Sequence, residues 1–174
     1  MAEIFDPEPV EGLLSYKFKN PELLKQALTH PSVLDESRKT RRGGNDLLAT
    51  VGDAVIDLAV AAHLYGNSGP TGPFLTSAKG DLTSKRSEFV NDNRLAEFYE
   101  KTQLTQHLRT SAGQKQVGLT PRMLAQAYEA IVGAIFLDAD YEMAKQIVRR
   151  TMFPPDISRD PASVRKEPDS VHPE

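Results

Sequence analysis

The 174-residue sequence contains no cysteine. That excludes disulfide frameworks, thiolate nucleophiles and cysteine-ligated zinc. It has no long unbroken apolar run either. The two most apolar stretches, Ala54 to Tyr65 and Ile131 to Ala139, carry Asp57 and Asp138. Both fall short of the roughly 20 residues that a bilayer span needs, so they read as buried helices and no membrane partner is expected. Charge of either sign is scarcely in excess, with a net charge of -3. A nucleic-acid-binding surface would therefore have to be local. The amino terminus offers no basic lead and no apolar core, and it is acidic. These features speak against a secretory signal or transit peptide. They point to an intracellular protein, cytoplasmic or nuclear, with a mitochondrial location as the alternative. No internal repeat and no run of strand-like alternation is present.

What is there suits one folded domain: 39% hydrophobic and 26% charged residues. We expect an N-terminal extension over 1–12, a helical domain over 13–153 and a proline-rich charged tail over 154–174 with five prolines. Asn20-Pro21-Glu22 starts a helix with asparagine as cap, an apolar stripe at Leu23, Leu24, Ala27 and Leu28 continues it, and Pro31 ends it. A basic loop, Arg38-Lys39-Thr40-Arg41-Arg42, precedes Asn45, which can cap a helix running from Asp46 towards Tyr65. Leu47, Leu48, Val51, Val55, Leu58 and Ala62 are its packing candidates. Gly66 to Pro73 is a loop. Leu75 to Tyr99 reads as two helices, Leu104 to Leu108 as a shorter one, and Ser111 to Lys115 as a turn. Pro121 opens a helix carrying Met123, Leu124, Ala127, Tyr128, Ile131, Val132 and Ile135, and Tyr141 to Arg150 is the last.

Asp46, Asp53 and Asp57 are spaced by seven and four, roughly along one side of a helix. Glu129 sits on a second long helix, four residues before Gly133-Ala134, whose small side chains permit close helix approach. Carboxylates from two packed helices can hold a hard cation such as magnesium. The same spacing equally describes a solvated face, and Asp46 by itself suits the helix dipole.

Four stretches decide between these readings. They are Leu23 to Ser32 (LLKQALTHPS), Asn45 to Val55 (NDLLATVGDAV), Leu82 to Asn91 (LTSKRSEFVN) and Tyr128 to Asp138 (YEAIVGAIFLD). In this order and spacing, residues 13 to 150 resemble the ribonuclease III endonuclease domain. The resemblance implies an all-α domain that dimerises and cuts double-stranded RNA with magnesium, manganese being a substitute. It also implies four metal-binding acidic positions, two on each of two helices. Here these fall on Ala49 and Asp53, and on Gln126 and Glu129. A further acidic position is met by Asp46. Asp53 and Glu129 are thus the expected metal ligands, and Asp53, Glu129 and Asp46 the expected catalytic residues. Alanine offers no oxygen, and glutamine only a neutral one, so loss of two charges weakens cation binding.

The family also places a phenylalanine at what is here Thr50. A homodimer, or a heterodimer with another ribonuclease III-like chain, is expected through Leu48, Thr50, Val51 and Val55. The usual C-terminal RNA-binding domain is expected to be missing, since 154–174 reads as a tail. RNA contacts are therefore expected from Arg38, Lys39, Arg41, Arg42, Lys85 and Arg86. His30 is expected to be a turn residue, His63 and His107 surface or core residues, and Tyr128 core. Three functions remain open. One is a protein that binds double-stranded or structured RNA and cleaves weakly or not at all. The others are an active magnesium-dependent endonuclease and a structural subunit resembling those of mitochondrial ribosomes.

Overall fold

The computed structural model describes residues 5–34, 43–67 and 79–153. Its helices are α1 (Glu8–Leu14), α2 (Pro21–Ala27), α3 (Asp46–Gly66), α4 (Lys79–Phe89), α5 (Asp92–Lys101), α6 (Ala112–Val117), α7 (Pro121–Asp138) and α8 (Tyr141–Met152), with 3-10 turns at Pro31–Val33 and Thr105–His107. Among the described residues the pairing of extended chain is limited to an isolated bridge between Thr29 and Arg109. The all-α expectation is met.

The core is built around α7. Small and apolar side chains cover most of its circumference, Leu124, Ala127, Tyr128, Ile131, Val132 and Ile135 being buried, while Arg122, Gln126 and Glu129 form a polar stripe. A helix apolar over most of its circumference belongs near a centre rather than on a surface. Thr120 caps it by accepting a hydrogen bond from the Met123 N–H at 3.3 Å, and Pro121 occupies the first helical position. α3 packs most heavily on α7, α5 covers another side, and α2 and α8 close the remainder. α5 contributes Leu95, Ala96, Phe98 and Tyr99, and α8 contributes Ala144, Ile147, Val148 and Met152.

Several details depart from the sequence-based expectations. α1 crosses the expected boundary between residues 12 and 13, because Val10 and Leu14 are buried in the common core. The Arg150 guanidinium also donates to the Leu14 carbonyl, tying α8 to α1. α2 stops at Ala27 rather than at Pro31, since Thr29 leaves the helix to bridge Arg109. The stretch beginning at Ser111 is a helix and not a turn: the Ser111 hydroxyl accepts from the Gln114 N–H at 3.2 Å and starts α6. Leu47 and Leu58 face outward, at 48% and 57% exposure.

α3 runs for 21 residues, longer than the apolar stretch read from the sequence, and by length and composition alone it could cross a membrane. In this fold it is a core helix, its buried face (Leu48, Gly52, Val55, Ile56, Ala59) set against α7. The tail over 154–174 and the greater part of the 66–73 loop lie outside the described residues.

Candidate active-site cleft

The site begins with two glycines. A Cβ added at Gly52 would lie 1.8 Å from the Glu129 carbonyl oxygen, and one at Gly133 would lie 2.1 Å from the Leu48 carbonyl oxygen. At that crossing α3 and α7 touch backbone to backbone, an approach that only hydrogen side chains allow. The small-residue reading of Gly133 is thereby confirmed. Because Asp53 follows Gly52 and Glu129 is the residue touched, the crossing also delivers these two carboxylates to one place.

They open into a cleft of about 480 Å3. α3 supplies Asp46, Ala49, Thr50 and Asp53, α7 supplies Arg122, Gln126 and Glu129, and the α4–α5 junction supplies Val90 and Asp92. The three expected catalytic residues are therefore neighbours in space. Asp92 and Arg122 were not singled out from the sequence. Asp92 follows the cap residue Asn91 and reads as an ordinary first-turn acid, and Arg122 as an ordinary exposed helix charge. Neither position carries a local signal of its distant neighbours.

Electrostatics distinguishes the carboxylates. Burial, and then the charges of Asp53 and Asp92, push Glu129 up to about 7, against the pull of Arg122. Asp53 is also raised, first by burial and then by Asp57, with Arg86 opposing. Asp57 does not reach the cleft. It forms an ion pair with Arg86 of α4. The expected acidic side is thus divided: Asp46 and Asp53 face the cleft, while Asp57 serves the α3–α4 contact. Arg86, an expected RNA contact, spends at least part of its charge on that carboxylate, and Lys85 lies half-buried beside it. Arg38, Lys39, Arg41 and Arg42 lie outside the described residues.

Gln126 does more than leave a gap where the resemblance implies a carboxylate. Its Nε2 donates to Asp46 Oδ1 at 2.6 Å and to Asn45 Oδ1 at 3.0 Å. The amide thereby ties α7 to the start of α3. Asn45 stands at the N-cap position but makes no side-chain cap bond, a correction to the expectation. It is fully buried, its N–H donates to the Thr29 carbonyl at 3.0 Å, and its Nδ2 has no partner.

The donor chemistry fits a hard cation held by few protein ligands. Asp53 and Glu129 are oxygen ligands whose mutual repulsion a divalent cation would relieve, and magnesium commonly keeps several waters. Among the described residues, no three His, Cys, Asp or Glu side chains stand close enough to form a fuller cage.

The expected dimer residues separate into two groups. Leu48 and Val55 are buried within the chain, at 4% and 7% exposure, and so belong to its own core. Thr50 and Val51 reach the surface. With Leu47, Ala54, Leu58 and Tyr65 they outline an outward stripe whose apolar members repeat at intervals of three, four and seven.

His30 caps the 3-10 turn, its Nδ1 accepting from the Ser32 N–H at 3.1 Å, which is the turn role expected. His63 stacks on Phe153 with ring centroids 3.9 Å apart. Tyr128 is buried and shares a 2.5 Å hydrogen bond with Thr151.

Comparison with known proteins bears on the family and the fold. Residues 20–156 match a family model described as Ribonuclease-III-like. Ribonuclease 3 of Bdellovibrio bacteriovorus is 37% identical over 147 residues, covering 83% of this chain and 60% of the relative. Ribonuclease 3 of Oceanobacillus iheyensis is 34% identical over 151 residues, covering 86% and 64%. The chain thus spans about three fifths of the length of these curated relatives. A solved nuclease domain of ribonuclease III from Campylobacter jejuni, in which a region involved in dimer formation is flexible, superposes with a TM-score of 0.73. The identity is 34%, and the match covers 86% of this chain and 99% of that one. Sequence and fold converge, and the chain belongs to the ribonuclease III-like family.

Proposed function

We propose that this chain is a ribonuclease III-type domain that binds double-stranded or structured RNA and cleaves it weakly or not at all. The observation that carries this reading is the exchange at two of the four positions that the resemblance assigns to metal-binding carboxylates. Ala49 offers no ligand, and Gln126 has its amide nitrogen committed to Asn45 and Asp46. Asp53 and Glu129 would hold a magnesium or manganese ion. When bound, such an ion supplies Lewis-acid polarisation and an activated water. With two charged ligands rather than four, both its affinity and its orientation are reduced.

A second reading has its own support. Asp46 and Asp92 also line the cleft, so four carboxylates face it beside one arginine. Water-bridged contacts from Asp46 and Asp92 would make the site an active magnesium-dependent endonuclease. Assembly follows the outward stripe of α3. The exposed Leu47, Leu58 and Tyr65 are large apolar groups in a row, suited to the same stripe on a second copy or on another ribonuclease III-like chain.

Single-turnover cleavage of a labelled RNA duplex in magnesium or manganese separates the two readings. The first expects no product above the Asp53→Asn, Glu129→Gln double variant, with duplex binding retained. It also expects a gain of at least about tenfold when Ala49→Glu and Gln126→Asp are introduced together. Robust cutting by the unmodified chain, abolished in the double variant, establishes the second reading instead.

A further inference from the structure

A second cavity, of about 310 Å3, opens between the N-terminal segment, the 3-10 turn at Pro31–Val33 and the chain from Gln106 to Lys115. Hydrogen bonds pin its walls. The Arg109 N–H donates to the Leu28 carbonyl at 2.8 Å, the His30 N–H donates to the Arg109 carbonyl at 2.9 Å, and the Ser111 N–H donates to the Ser32 hydroxyl at 3.1 Å. The space is therefore formed before any ligand arrives, which lowers the entropic cost of binding.

Its lining divides by chemistry. Phe5, Val33 and Leu108 make an apolar wall, and Val33 is 38% exposed despite its character. Arg109 and Lys115 bring two positive charges. The acid in the lining, Asp6, accepts the Glu8 N–H at 3.1 Å. Arg109 donates to the neutral Thr29 hydroxyl at 3.2 Å. Among the described residues, neither Arg109 nor Lys115 has a carboxylate within ion-pair distance. Two cations, neither held in an ion pair and together outnumbering the one acid of the lining, beside an aromatic and aliphatic wall match a group that is anionic at one end and flat and apolar at the other. A guanidinium with an ammonium suits phosphate, and a ring beside aliphatic carbons suits a nucleobase face. The volume lies at the lower end of the roughly 300–1,000 Å3 typical of small-ligand sites, enough for one such unit.

We propose that this cavity binds a single phosphorylated nucleotide, with the base against Phe5 and Val33 and the phosphate between Arg109 and Lys115. The same chemistry is offered by a free mononucleotide and by an unpaired nucleotide at the end of an RNA strand. A chain of hydrogen bonds through the interior also links this cavity to the cleft. Arg109 bonds Thr29, the Thr29 carbonyl accepts from Asn45, and Asn45 meets Gln126 at the cleft wall.

The test titrates the isotopically labelled 174-residue chain with adenosine 5′-monophosphate, adenosine and inorganic phosphate, following amide shifts. Saturable shifts at Phe5, Val33 and Leu108 are expected with the monophosphate, at least about fivefold tighter than with either half alone. Lys115→Glu should weaken binding about tenfold without moving the thermal midpoint, since Lys115 is exposed. Arg109→Gln serves as a second variant. A parallel arm compares an RNA duplex bearing a two-nucleotide overhang with the blunt duplex. An overhang advantage lost in Lys115→Glu identifies RNA as the source, whereas monophosphate binding with no such advantage identifies a free nucleotide. The Asp53→Asn, Glu129→Gln variant should still bind the monophosphate, so failure of the cleft reading leaves this site standing. The proposal is overturned if neither the monophosphate at about 5 mM nor the overhang gives Lys115-dependent binding.

Discussion

Glu129 and Asp138 are two carboxylates at opposite ends of the electrostatic range. Burial and the nearby Asp53 and Asp92 raise Glu129 from 4.5 to about 7. A carboxyl that holds its proton more tightly when folded stabilises the fold at low pH, and that contribution is lost as pH rises from about 4.5 to about 7. Glu129→Gln should therefore flatten the decline in thermal midpoint across this window and raise the midpoint at neutral pH, as calorimetry over a pH series would record. Asp138 behaves in the reverse sense. Burial pushes its pKa up, but the Tyr16 hydroxyl at 2.6 Å, the Lys19 and Asn20 N–H groups at 2.8 Å each, and the Lys19 charge outweigh burial and hold it below the usual carboxylate range. Its contribution is present above that range and is lost as pH falls through the depressed value. Asp138→Asn removes the charge that three donors share and should cost about 2–4 kcal/mol by denaturant unfolding at pH 7. The sequence marks Asp138 only as the end of an apolar stretch. Its three donors lie well over a hundred positions earlier, beyond any local pattern.

At the scale of elements, the crossing of α3 and α7 governs the rest. Gly52→Ala or Gly133→Ala places a methyl group inside the opposing backbone, where no rotamer change can relieve it. Each should destabilise the chain by at least about 3 kcal/mol or abolish folding, read from urea midpoints or from loss of soluble protein. The helix α7 is legible in the sequence because its apolar residues recur at helical spacing between polar Arg122, Gln126 and Glu129, and Pro21 and Pro121 mark their helix starts correctly. What escaped was decided between elements. Asn45 has the chemistry of a cap, yet its side chain is drawn to Gln126 on another helix. Residues 112–117 contain a glycine and few apolar side chains, and their helicity depends on a single serine cap. α1 is too short for its period to register, and it stands because Val10 and Leu14 find a core already assembled. Leu47 and Leu58 fit an inward stripe on a helical wheel as readily as an outward one. Only packing against α7 chose between them.

For the whole molecule, that outward stripe is the feature with the largest expected effect. Leu58→Asp should shift the chain to monomer at micromolar concentration in sedimentation equilibrium, while leaving helical content unchanged, because Leu58 is 57% exposed and not part of the core. A chain that sediments as a monomer before any substitution would remove the stripe as an assembly surface. The glycine crossing has one more consequence, for how this architecture tolerates change. Positions 52 and 133 set the distance between the helices, whereas positions 49 and 126 line the cleft beside that contact. On the function proposed above, exchange at position 49 alters the cleft without touching the glycine contact, so a lineage could drift from enzyme towards binder while the two helices keep their spacing.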